Sequence, residues 1–107
     1  MASITKERKD TVLGRLRRAL DEYGKANPTA DVSLYRYNPG SIRVRIVDGR
    51  FAKMSKSARH DKVWDFLEDH AGQDAMGELS LLLLLTHDEL KSSSMNMEYE
   101  VPTPSGV

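Results

Sequence analysis

The sequence predicts an α+β domain of order α-β-β-α-(α)-β, with a three-stranded mixed sheet and its helices on one face. Three stretches predict it. Val32–Tyr37 and Ile42–Val47 read as two strands around the turn Asn38-Pro39-Gly40-Ser41, where proline fixes one φ angle and glycine takes another. Phe51–Leu67, FAKMSKSARHDKVWDFL, carries a helix start and an apolar repeat. Leu79–Thr86, LSLLLLLT, is too short for a helix buried all round and reads as a strand covered on both faces, the usual state of a strand paired in parallel.

The first element is an amphipathic helix over 5–24. Leu13, Leu16, Leu20 and Tyr23 share one face, and Arg15, Arg17 and Arg18 lie mostly off it. Gly14 costs up to about 1 kcal/mol relative to alanine, which tertiary packing absorbs. Gly24 and then Asn27-Pro28 end the helix. In the second strand Ile42, Val44 and Ile46 face the core, while Arg43 and Arg45 stand on the other side. Asp48-Gly49 then turns the chain into the central helix.

That helix starts at Ser55 or Ser57, whose hydroxyl can accept from an orphan N–H one turn on. Its apolar face reads His60, Val63, Trp64, Leu67 and Ala71, at i, i+3, i+4, i+7 spacing. Lys56, Arg59 and Lys62 make a solvated basic stripe on another side. Ala71-Gly72 breaks the pattern, and Gln73–Met76 forms one helical turn. The central helix is then a right-handed crossover that lets the leucine strand pair in parallel with the second hairpin strand. Thr86-His87-Asp88-Glu89 fits a capping box and one turn of helix. Met95, Met97, Tyr99 and Val101 alternate with Asn96, Glu98 and Glu100, so 95–101 reads as an extra C-terminal strand, at an edge or beside the leucine strand. Residues 1–101 form one domain and 102–107 a disordered tail.

Composition narrows the class. The chain has 107 residues, 39% apolar and 30% charged, enough for one domain with a modest core. With no cysteine, disulfides and thiolate metal sites are excluded and a reducing compartment is expected. No signal-peptide pattern or bilayer-spanning run is present, so the expected location is cytoplasmic. HDEL at 87–90 is internal and is not a retention signal. The net charge of zero hides a gradient, because segments 1–42, 43–62 and 63–107 carry +3, +5 and −8. Such a dipolar chain can present a basic patch to an acidic partner.

No residue pattern points to a reaction. His60, His70 and His87 lack the short spacings of zinc sites, so no metal is expected. The chain has neither a G-x-S-x-G elbow nor a phosphate loop, and the adjacent pairs Glu68-Asp69 and Asp88-Glu89 point apart on a helix. No catalytic residue is expected. His60 reads first as a packing histidine whose ring needs a hydrogen-bond partner, since unpaired burial costs about 1 to 3 kcal/mol. Trp64 reads as core and not as a nucleobase-stacking platform.

Phe51, Ser55, Arg59, His60, Val63, Trp64 and Leu67 stand at the spacing of the motif in BolA-like proteins, and over 42–90 the chain resembles that family. The resemblance implies a type II KH-like fold and a non-enzymatic regulatory or adaptor role. It also implies partner contact around Phe51, Ser55, Arg59 and His60. The protein is expected to be a monomer or weak dimer, and self-association would follow from the leucine strand if its outer face is uncovered. BolA-like proteins that share an iron–sulfur cluster with a glutaredoxin place a histidine at the start of the last strand and a histidine or cysteine in the hairpin loop. Gly77-Glu78-Leu79-Ser80 and Asn38-Pro39-Gly40-Ser41 occupy those places here, and Lys53 replaces the family's usual glycine, so no cofactor is expected. The alternative is weak nucleic-acid binding, with Arg43, Arg45, Arg50 and Lys53 converging on Lys56, Arg59 and Lys62. The G-x-x-G loop that clamps nucleic acid in KH domains has its nearest counterpart in Gly49-Arg50-Phe51-Ala52-Lys53, which lacks the second glycine.

Overall fold

The computed structural model of the chain describes residues 10–101. Helix α1 (Thr11–Ala26) leads into strands β1 (Asp31–Asn38) and β2 (Ser41–Val47). A 3-10 turn (Gly49–Lys53), α2 (Lys56–Ala71) and the single turn α3 (Gln73–Met76) follow. Strand β3 (Leu79–Leu85) and two short helices, α4 (His87–Ser92) and α5 (Ser94–Glu100), complete the fold. The N-terminal part of the helix expected over 5–24, and the expected tail over 102–107, lie outside the described residues.

The sheet has the order β1-β2-β3, antiparallel between β1 and β2 and parallel between β2 and β3. Val44 is paired with Leu34 on one side and Leu82 on the other, and Ile46 with Val32 and Leu84. This register puts Ile42, Val44 and Ile46 of β2 on the face under α1 and α2, because strand residues alternate sides. Leu16, Leu20 and Tyr23 of α1 and Val63, Leu67 and Ala71 of α2 close that face, with Ile42, Val44 and Ile46 fully buried. The leucine block is a parallel strand reached by a helical crossover, as its all-apolar composition predicts.

Local chemistry sets the boundaries. The Ser55 hydroxyl accepts from Ala58 N–H at 3.1 Å and starts α2. Gly72, at φ +89°, ends α2 in a region that side chains with a Cβ rarely enter. Thr86 and Glu89 form the expected capping box on α4.

Two expectations fail here. The C-terminal segment is not a strand: Ser93 accepts from Asn96 N–H at 3.1 Å and caps α5. Asn96 and Tyr99, three apart, are buried, while Met95 and Met97 are exposed. The alternation of 95–101 also satisfies a helix with one narrow inward face, and the serine cap decides for it. As a helix the segment covers the second face of the sheet, where Tyr99 packs with Leu83 and Leu85. Helices therefore stand on both faces, with α1 and α2 on the expected one. The inward face of α2 is also offset by one residue from expectation. Arg59, not His60, is buried with Val63, Leu67 and Ala71. His60 is exposed and Trp64 is only half-buried.

Candidate functional site

Arg59 is 4% exposed and organises the junction of α2, the 3-10 turn, β3 and α4. Its Nε donates to the carbonyls of Phe51 at 3.0 Å and Met54 at 3.3 Å. Nη1 donates to the Leu84 carbonyl at 3.1 Å and to Glu89 Oε1 at 2.7 Å, and Nη2 to Glu89 Oε2 at 3.1 Å. Such a two-pronged contact suits the planar guanidinium fork. Glu89 Oε1 also accepts from Thr86 N–H at 2.9 Å, so one carboxylate serves the cap and the arginine. Hydrogen bonding from Arg59, then from the Thr86 backbone, lowers the Glu89 carboxyl to about 2.

This placement divides the residues expected at a partner surface. Phe51 is buried, with Arg59 over its ring at 5.7 Å, and Ser55 is occupied as the α2 cap. Of the four, His60 offers its ring to solvent. The ring stacks on Trp64 with centroids 5.5 Å apart and 16° between planes, and among the described residues no buried partner holds it, contrary to expectation. His70 likewise stacks on Phe66, at 4.1 Å.

Beside His60 a cleft of about 310 Å³ runs between the first turns of α2 and the outer edge of β3. Lys56, Arg59 and His60 line one wall, Leu82–Leu85 the other, and Ser93 and Met95 its end. Met95 is 49% exposed there. Among the described residues no three of His, Cys, Asp and Glu come together as a metal site would require.

The basic residues do not converge. Arg43 and Arg45 stand on the sheet face opposite α2, beneath α5. Arg43 lies over the Tyr37 ring at 3.7 Å and donates to the Tyr35 hydroxyl and the Glu98 carbonyl. Arg45 Nη1 reaches Asn96 Oδ1 and Glu100 Oε2, both at 2.6 Å. Arg50 turns back to Asn27 Oδ1 at 2.6 Å and to Asp48. Burial pushes the Asp48 carboxyl up, but hydrogen bonds from the Arg50 backbone, Thr29 and the Arg50 side chain outweigh it and leave the group lowered. With Arg59 buried, Lys53, Lys56 and Lys62 are the exposed remainder of the set, without an ion pair among the described residues.

Sequence reasoning missed Glu89 as the partner of Arg59, and Asn96, Glu98 and Glu100 as partners of the strand arginines. The capping box points to Glu89 but says nothing of its second oxygen. A buried arginine on a helix face leaves no trace in hydropathy, because it breaks the apolar repeat it completes. No family model, curated protein or solved structure matches the chain. No helix among the described residues is long and apolar enough to cross a membrane.

Proposed function

We propose that the chain is a BolA-like, non-enzymatic adaptor that docks a protein segment in the cleft between α2 and the outer edge of β3. The observation that carries this reading is the cleft itself. It joins an apolar strand edge to Lys56, His60 and the half-exposed Met95, the mixture of apolar contact and peripheral charge that protein interfaces use. In this reading His60 touches the partner, and Phe51, Ser55 and Arg59 hold the turn and helix that present it. The order of elements supports the family likeness, as does the Phe51, Ser55, Arg59-His60 spacing.

The test compares captures from lysate by the wild type, His60→Ala and Met95→Glu, with thermal melting of each variant as a fold control. The reading expects one or more captured proteins to be lost with both variants while the melting temperature holds. An identical captured set in all three overturns it.

A second reading, weak nucleic-acid binding, is favoured by the three exposed lysines, Lys53, Lys56 and Lys62. If all three met phosphates, affinity would fall with a log–log salt slope of about −3. An oligonucleotide titration at low salt with no shift removes it.

A further inference from the structure

The sheet face under α5 carries more polar chemistry than a covering helix requires. Ser33, Tyr35 and Tyr37 of β1 share it with Arg43 and Arg45 of β2, because alternate residues of paired strands point the same way. Every polar group there needs a partner once covered, a demand that the apolar side chains under α1 and α2 avoid. Arg43 lies over the Tyr37 ring at 3.7 Å, and Tyr35 stands beside it, its hydroxyl 3.3 Å from Arg43 Nη1. Aromatic rings interleaved with arginines on a sheet are what a single nucleic-acid strand uses, a ring for each base to stack on and a cation for the neighbouring phosphate.

The cover fills those places with the same chemistry. Glu98-Tyr99-Glu100 sets a ring between two carboxylates. Tyr99 meets the Tyr35 ring at 5.0 Å and lies under Arg45 at 4.8 Å, while the Glu100 and Glu98 carboxylates stand 2.6 Å from Arg45 and 4.0 Å from Arg43. An aromatic ring flanked by anions is also the repeating unit of a nucleic-acid strand. The helix that carries it is turned inside out. Among the described residues the exposed large apolar side chains are Met95, Met97 and Val101, at 49%, 71% and 80%, all on this one segment. Water meets its methionines and the sheet meets its acids, the reverse of a helix held by apolar burial. Seven residues make no stable helix alone, so α5 keeps its place through Tyr99 and the arginine contacts.

We infer that the tyrosine–arginine face is a binding site for single-stranded nucleic acid, and that α5 is an acidic strap that occupies it until displaced. Bases stack on Tyr35 and Tyr37, and Arg43 and Arg45 exchange Glu98 and Glu100 for phosphates. The site is separate from the docking cleft and from the exposed lysines, so it goes beyond both readings above. Strand and strap compete for one face, and whatever loosens α5 therefore tightens the strand.

Titration of a short labelled oligothymidylate at low salt tests it in the unaltered chain, in Tyr99→Ala, which changes no charge, and in Tyr99→Ala with Arg45→Gln. Tyr99→Ala is expected to bind on the order of tenfold tighter, the factor by which a mostly closed strap lowers apparent affinity. Its log–log salt slope should be about −1.4, for two phosphates of a single strand. Adding Arg45→Gln removes the gain. In the unaltered chain, saturating oligonucleotide should speed amide exchange at Met97 and Val101, whose N–H groups donate to the Ser93 and Met97 carbonyls within α5; this measurement needs no variant to fold. Equal affinity of the unaltered chain and Tyr99→Ala overturns the inference, as does a gain that survives Arg45→Gln or a pair of amides that ignores bound strand. Binding lost only with Lys53, Lys56 and Lys62 assigns the strand to the lysines and overturns it too. A Tyr99→Ala chain that takes the free peptide SMNMEYE but no oligonucleotide overturns the ligand class.

Discussion

The two faces of the sheet are covered by different means. Under α1 and α2, Ile42, Val44 and Ile46 have no exposure and meet apolar side chains. Under α5 the middle strand offers Arg43 and Arg45, and the cover answers with Asn96, Glu98, Glu100 and two tyrosine hydroxyl contacts. Ser33 and Tyr99 hydroxyls lie 2.8 Å apart, and Tyr35 donates to the Tyr99 carbonyl at 2.8 Å. Apolar burial holds the first face, and its strength grows with area. The second is held by directional contacts that work only while α5 keeps its position and that salt partly screens. A short helix with one aromatic anchor is thereby placed on a charged sheet face.

The comparison can be broken most severely on the dry face. Ile46→Ala, which removes a fully buried side chain from the middle strand, should cost about 2 to 5 kcal/mol in urea unfolding of the whole chain. Tyr99→Ala on the other face should cost less in global unfolding than Ile46→Ala, with amide exchange in Ser94–Glu100 rising far more than elsewhere. Equal losses from the two variants would mean that the faces fold as one unit.

Acid sharpens the comparison at the edge where the faces meet. The folded-state carboxyl of Glu89 is depressed from an ordinary 4.5 to about 2. The contribution of Glu89 paired with Arg59 is therefore complete above about 4.5 and drains away as pH falls through about 2. Wild type should lose stability across that interval faster than Glu89→Gln, which has no carboxylate to protonate there. Parallel pH profiles would remove Glu89 as the source.

The smallest effect belongs to Tyr23. Its hydroxyl is buried without a hydrogen-bond partner among the described residues, and burial, followed by the Asp48 charge, raises its pKa. Tyr23→Phe should leave stability unchanged or raise it by up to about 1 kcal/mol, since it deletes an unsatisfied group and keeps the ring against Phe66. A large loss in thermal melting would contradict the isolation of that hydroxyl.

What the sequence disclosed follows the same division. The dry face was legible because Ile42, Val44 and Ile46 alternate, the leucines are continuous and Leu16, Leu20 and Tyr23 repeat helically, and each pattern has one low-energy solution. The polar cover was not. Met95 to Val101 alternates like a strand, and only the serine before it and the distant arginines of β2 select a helix. At the candidate site, hydropathy favoured His60 for the interior over Arg59, the more polar of two adjacent residues. Arg59 is nevertheless the buried one, because five acceptor contacts from four residues replace the water it gives up. Such convergence is a property of the assembled chain and has no signature in a local window.

The parallel pairing of β2 with β3 has a consequence for how the chain reaches its native state. The hairpin of β1 and β2 is local and can close within about 1 to 10 μs. β3 can dock only after the whole crossover helix has been spanned, a costly long loop closure that slows folding. Until then five consecutive leucines stand in water, on a nascent chain whose hairpin has already formed and offers an open flank. The dangerous interval for aggregation is the delay before that last strand arrives.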